Sequence, residues 1–212
     1  MGDNVAQLVH LMLVTDDRLV GGRDLVTLAQ AAERGGVTSL QLRLKQATAR
    51  ELSQLVRALV QTLHIPVLVN DRPDIALAAG ASGAHLGAND MPIGLARRIA
   101  PPGFVLGASV GNDTEAAMAG EADYWGIGPW RSTPTKADAG TGLGADGFSR
   151  LLRLAGGKPT IAVGGVTPED VPIILRAGGK GVAVVSGILG AENVEEAARR
   201  YAGRRGSGAA GQ

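Results

Sequence analysis

"TIAVGGVTPEDVPIILRAGGKGVAVVS", residues 160–186, decides the fold. Two short β-rich runs, TIAVGG (160–165) and GVAVVS (181–186), flank a segment with helical start and stop signals. Thr167 is the predicted N-cap, Pro168 the first helical residue, and Asp170 the acid three residues after the cap. Gly178 is placed just past the helix end. Pro172 lies in the first turns, where a proline costs least. Both flanking runs are apolar at consecutive positions, as strands buried on two faces are. The stretch therefore reads as strand, helix, strand: one unit of a parallel sheet.

The same unit recurs along the chain. Further runs are VHLMLVT (9–15), SLQLR (39–43), PVLVN (66–70), GAHLG (83–87), FVLGAS (104–109) and DYWGIG (123–128). Amphipathic segments lie between them. Leu25, Leu28, Ala29 and Ala32 share one helical face, as do Leu52, Leu55, Val56 and Leu59. Eight strand–helix units in about 200 residues predict an α/β fold, a single (β/α)₈ TIM barrel over residues 1–202. An open doubly wound sheet would be favoured by a G-x-G-x-x-G turn after LMLVT, and none follows. The tail GRRGSGAAGQ (203–212) is expected to be disordered.

Composition narrows the function. The chain has 212 residues, 45% apolar, a formal charge of +1, 3% aromatic residues and no cysteine. No long run of one charge sign appears, and there are too few aromatics for a base-stacking platform. Neither feature suggests a nucleic-acid partner. The lack of cysteine excludes disulfides, thiolate zinc sites and a cysteine nucleophile. The three histidines are scattered along the chain, so no metal site built on them is read. The apolar runs are too short for a bilayer span, and MGDNVAQ lacks signal-peptide character. The expectation is a soluble, cytoplasmic protein without a membrane partner. Oligomeric state is left open, although barrels of this size often pair into homo-oligomers.

In a barrel the C-terminal strand ends make the active face. Here seven consecutive ends carry groups able to hold a ligand. Gln41, Arg43 and Lys45 share a parity in QLRLK, so they are predicted to face one side. Asn70-Asp71 end the third strand, Asn89-Asp90 follow the fourth, and Ser109 ends the fifth. The polar loop GPWRSTPTKADAG (128–140) follows the sixth and holds Thr133, Thr135 and Lys136. Gly164-Gly165 end the seventh, and Val185-Ser186 the eighth. Taken singly, each is an ordinary surface charge, cap or turn; the case rests on their coincidence at one rim.

The residue types suit a particular chemistry. Two carboxylates, Asp71 and Asp90, without histidine or thiol, fit a hard cation such as Mg²⁺. With that ion bound, and with Arg43, Lys45 and Lys136, the site would neutralise a diphosphate ester of about −3 charge. Glycine-rich turns at the last two strand ends suggest a second anion site, made of backbone amides at helix starts.

LQLRLK, VNDRPDIALAAGASGAHLGAND, GPWRSTPTK, IAVGGV and GVAVVSGI together resemble thiamine phosphate synthases, in order, from about residue 11 to residue 190. The resemblance implies two small-molecule substrates: 4-amino-2-methyl-5-hydroxymethylpyrimidine diphosphate and 4-methyl-5-(2-phosphoethyl)thiazole. The products would be thiamine phosphate and diphosphate, formed by a dissociative, Mg²⁺-assisted substitution. It implies that Gln41, Arg43, Lys45 and Asn70 hold the pyrimidine diphosphate and that Asp71 and Asp90 bind Mg²⁺. Ser109 would contact the pyrimidine or the departing diphosphate. Thr133, Thr135, Gly165, Val185 and Ser186 would hold the thiazole phosphate, and Lys136 the leaving diphosphate. Ser109, Lys136 and Arg43 are the expected catalytic groups. The sequence departs from the family's pattern at Leu44, Ala88-Asn89 and Arg131-Ser132, and lacks a histidine shortly after Ser109. Rival readings are a thiazole tautomerase, which typically uses such a histidine, and a non-catalytic thiamine-phosphate binder on the same barrel.

Overall fold

A computed structural model describes residues 2–132 and 141–203. Eight parallel strands close a barrel in sequence order. They are β1 (Leu11–Val14), β2 (Ser39–Leu42), β3 (Val67–Asn70), β4 (Gly83–Leu86), β5 (Val105–Val110), β6 (Tyr124–Ile127), β7 (Thr160–Val163) and β8 (Gly181–Val184). All eight predicted strands are present, with ends trimmed by up to a few residues and β5 running one residue further, to Val110. β1 pairs with both β2 and β8, which closes the ring.

Helices α1 (Gly2–Leu8), α2 (Asp17–Val20), α3 (Leu25–Arg34), α4 (Ala49–Thr62), α5 (Pro73–Ala79) and α6 (Ile93–Ile99) accompany the first half of the chain. Helices α7 (Asp113–Met118), α8 (Gly144–Leu154), α9 (Val171–Arg176), α10 (Ser186–Leu189) and α11 (Val194–Ala202) accompany the second. The apolar faces read from the sequence are the buried ones: Leu25, Ala29 and Ala32 in α3, and Leu52, Val56 and Leu59 in α4. Burying such a stripe against a barrel wall yields roughly 1.5–3 kcal/mol per large aliphatic side chain. Among the described residues, no helix is long and apolar enough to cross a membrane.

Two features were not foreseen. First, α1 lies ahead of the barrel, and its Val5 and Leu8 join Val9, Met12, Leu68, Tyr124 and Ile161 in a second apolar cluster inside the ring. This helix closes the N-terminal mouth, so the opposite rim is where ligand groups gather. Second, α9 starts at Val171, not at Pro168. Thr167 does not cap it. Its N–H and hydroxyl instead donate to Asp170 at 2.8 and 3.0 Å. The carboxylate wins because it is the stronger acceptor. Gly178, at φ +105°, does lie past the helix end.

Candidate active site at the C-terminal rim

Residues of β1–β5 build one half of the rim from charged side chains. Gln41 is buried inside the barrel. Arg43 and Lys45 lie beyond the end of β2 and diverge. Arg43 reaches back to Asp16 at 3.4 Å, whereas Lys45 reaches forward to Asp71 at 2.5 Å. Parity brings them to one rim but not to one point, because strand geometry stops at Leu42. Thr15 fixes Arg43 by accepting its backbone N–H at 2.8 Å and donating to its carbonyl at 3.1 Å. Asp17 accepts the Lys45 N–H at 2.9 Å.

Asp71 is the only non-glycine with positive φ among the described residues, at 65°. That conformation is uncommon for a residue with a Cβ, though aspartate tolerates it better than most. It is held by Asp71 N–H donating to the His85 carbonyl at 2.9 Å. The turn brings the carboxylate against Asp90, which itself accepts Gly87 N–H at 2.7 Å. Burial pushes the Asp90 carboxyl above its ordinary value, and the hydrogen bond and negative charge of Asp71 push it further the same way. Two acids so close cannot both ionise cheaply without a cation between them.

This donor set fits a hard divalent ion. Asp71 and Asp90 offer carboxylate oxygens at one place, and such ions take oxygens. Among the described residues, no cluster of three or more His, Cys, Asp or Glu could hold a metal, so water and a substrate's phosphate oxygens would complete the shell. Asp16 alters the charge balance expected from sequence. The described rim sets Arg43 and Lys45 against Asp16, Asp71 and Asp90. With both acids of the pair ionised and no metal bound, these five groups would sum to a net negative charge, which a divalent ion offsets.

Behind the rim a buried polar chain runs through the barrel. Ser109 Oγ lies 3.0 Å from His85 Nε2, and His85 Nδ1 lies 2.9 Å from the Tyr124 hydroxyl. Burial raises the Tyr124 pKa far above its ordinary value, and a hydrogen bond from Gln41 offsets only part of this. The phenol therefore keeps its proton. Besides the His85 contact, the phenol hydroxyl donates along a 3.9 Å contact to Met12 Sδ. His85 links the phenol to Ser109 through its two ring nitrogens. A Cβ on Gly107 would lie 2.2 Å from the Tyr124 ring, and one on Gly126 would lie 3.2 Å from His85. The strand glycines make room for the chain of polar groups.

The other half of the rim is backbone. Gly164 and Gly165 have φ of +89° and +66°. They sit in a turn well before α9, not at a helix start as expected from sequence. A Cβ at either would meet the segment that follows β6: Pro129 at 2.9 Å for Gly164, and the Arg131 Cβ at 2.9 Å for Gly165. The Gly128–Pro129 peptide there is cis. Val185 precedes α10 and Ser186 opens it. Asn70 ends β3 beside His85. Thr133, Thr135 and Lys136 lie outside the described residues.

Sequence reasoning did not assign roles to Asp16, His85 or Tyr124, and it read Asp170 only as a helix-capping acid. Asp16 and Asp17 follow a strand, as the assigned residues do, and that position was the available signal. His85 and Tyr124 sit within apolar strand runs and had no such signal.

The family described as "Thiamine monophosphate synthase" matches residues 11–188. Thiamine-phosphate synthase of Azorhizobium caulinodans is 43% identical over 196 residues, covering 90% of this chain and 92% of the relative. That of Xanthobacter autotrophicus is 45% identical over 194 residues, covering 89% and 92%. The solved thiamine phosphate pyrophosphorylase of Pyrococcus furiosus superposes with a TM-score of 0.83 at 33% identity, over 93% of this chain and 96% of that one. Eight parallel strands in order, a polar C-terminal rim and these near-full-length matches place the chain in the thiamine monophosphate synthase family.

Proposed function

We propose that the protein is a thiamine-phosphate synthase, a transferase joining the pyrimidine diphosphate to the thiazole phosphate with release of diphosphate. The observation that carries the reading is the apposed Asp71–Asp90 pair, flanked by Lys45 and facing a barrel rim otherwise rich in donors. The C–O bond to the diphosphate breaks and its electron pair leaves with the diphosphate. The thiazole nitrogen then donates its lone pair to the resulting pyrimidine-methyl cation. No protein nucleophile is required, so the chain's task is to place charges and hold geometry.

Asp71 and Asp90 hold Mg²⁺, and the chemistry the ion supplies when bound is neutralisation of the diphosphate, which makes it a better leaving group. Arg43, Lys45 and Asn70 grip the diphosphate, and Gln41 faces the pyrimidine side. Ser109, held by His85 at 3.0 Å, meets the pyrimidine or the departing diphosphate. Gly165, Val185 and Ser186 offer backbone amides to the thiazole phosphate. Thr133 and Thr135 add hydroxyls to the same phosphate, and Lys136 meets the leaving group. A tautomerase reading is disfavoured because Asn112 caps α7, accepting Glu115 N–H at 2.9 Å, and no histidine stands at that strand end.

The test is an assay of diphosphate release from both substrates with Mg²⁺, repeated with either substrate omitted and with excess EDTA. Release only in the complete, metal-replete mixture supports the reading. Thiazole isomerisation without diphosphate, or undiminished release in EDTA, contradicts it.

A further inference from the structure

Two loops meet beside Gly165, and one buried carboxylate joins them. Asp170 is 3% exposed. It accepts Thr167 N–H and hydroxyl, and it takes the Arg131 guanidinium end-on, Nη2 at 2.6 Å and Nη1 close against its second oxygen. Arg131 Nη1 also donates to the Gly165 carbonyl at 3.0 Å. The backbone ties the same segments: Trp130 N–H donates to Val163 O at 2.8 Å and Arg131 N–H to Gly164 O at 2.9 Å. Arg131 itself is anchored from below. Leu143 and Gly144 donate their N–H groups to Pro129 O and Trp130 O at 2.8 and 3.0 Å. A Cβ on Gly142 would lie 2.9 Å from Arg131 Cα.

An exposed ion pair stabilises little, and the Arg131 side chain is half exposed. This pair differs because its acid is buried and bidentately held. Burial alone would raise the Asp170 pKa. Hydrogen bonds from Arg131, Thr167 and Trp130 outweigh burial and hold it at about 2. The carboxylate is therefore always charged near neutral pH, and Arg131 always has its anchor.

The geometry has a consequence for the neighbouring turn. A trans peptide points its C=O and its N–H in opposite directions. Arg131 fixes the Gly164 carbonyl with its backbone and the Gly165 carbonyl with its side chain. Two successive peptide planes are thereby set, and with them the directions of the Gly165 and Val166 N–H groups. We propose that Arg131, anchored by Asp170, is a positioning residue for the monophosphate subsite, acting by aiming the amides of the Gly164–Gly165 turn. The inference rests on the function proposed above, and it makes Arg131, four residues past the end of β6, part of the phosphate site without touching substrate.

The experiment compares wild type with Arg131→Met, Arg131→Lys and Asp170→Asn, reading kcat and both KM values. Arg131→Met should raise the KM for the thiazole phosphate on the order of 10-fold. The KM for the pyrimidine diphosphate should not move. Arg131→Lys should recover only part of the loss, because an ammonium cannot serve both Asp170 oxygens and the Gly165 carbonyl together. Asp170→Asn should shift the same KM in the same direction, by less. Calorimetric titration with thiamine phosphate at low temperature gives the same comparison for any variant that melts early, and there Arg131→Lys suffices. Equal changes in both KM values, or an unchanged thiazole phosphate KM in Arg131→Met, overturn the inference alone. A wild-type protein that releases no diphosphate overturns the functional reading instead.

Discussion

The rim between β1 and β5 and the rim between β6 and β8 face one opening but are made of different material. The first is side-chain charge: Arg43 on Asp16, Lys45 on Asp71, and Asp90 pressed against Asp71. The second is backbone, turned outward by glycines at positive φ and braced by Arg131 and Asp170. A charged rim can exchange partners: Lys45 can leave Asp71 for a phosphate once a cation takes the carboxylate. A backbone rim cannot rearrange in that way, and it is prepared before a ligand arrives. The difference suits a leaving diphosphate, whose charge must be managed during bond breaking, and a monophosphate that serves only as a handle.

The comparison breaks most visibly at Asp71. Asp71→Ala removes one carboxylate from the metal pair and leaves the diphosphate poorly neutralised, so kcat/KM for the pyrimidine diphosphate should fall by about 1,000-fold or more. Thiamine phosphate binding should survive. Near-normal turnover in this variant would disprove the metal assignment. On the opposite half, Gly165→Ala places a Cβ 2.9 Å from the Arg131 Cβ at φ +66°. The turn must shift, and kcat/KM for the thiazole phosphate should drop on the order of 100-fold, measured with saturating pyrimidine diphosphate. A loss seen only with the other substrate would show that the two halves are misassigned.

A smaller effect is expected inside the barrel. Tyr124→Phe removes the hydroxyl that holds His85 Nδ1 behind Ser109, and kcat should fall about 10-fold, the scale of lost outer-shell support. Unchanged kcat would show that Ser109 does not depend on this chain of groups.

The smallest effects are on stability, and they carry opposite signs in the two halves. Asp170 has its pKa lowered from 3.8 to about 2. Its contribution, about 2 kcal/mol, is complete above the unfolded value and is lost as pH falls from about 4 to about 2. Asp90 has its pKa raised. In metal-free protein its contribution is complete at pH below the unfolded value and is lost as pH rises through the folded one. Mg²⁺ should remove the second dependence and leave the first, because only the ionised Asp71–Asp90 pair binds the ion. Thermal melts across pH, with and without Mg²⁺, check both signs.

Much of this architecture was legible from residue order. Eight apolar runs with glycine-punctuated ends suffice for the barrel, since strands buried on both faces read as unbroken apolar stretches. Rim residues were legible because they break that pattern at its end, as Asp71 does after VLVN. Other features were not, for separate reasons. The helix α1 has a polar, glycine-containing sequence, and it is helical because Val5 and Leu8 plug the barrel mouth. The late start of α9 reflects a contest between two side chains, won by Asp170 through a partner 39 residues away. His85 and Tyr124 are hidden within strands, where inward position is set by the register of β4, β5 and β6.

The central claim is that the two anions are gripped by different means, one through a divalent ion and one through amides. Calorimetric titration of the wild-type protein with inorganic diphosphate and, separately, with the thiazole phosphate, each with Mg²⁺ and with EDTA, tests it directly. The account predicts that diphosphate binds only with Mg²⁺ and that the thiazole phosphate binds equally in both conditions. Diphosphate affinity unchanged by EDTA, or thiazole phosphate binding lost with the metal, would contradict it.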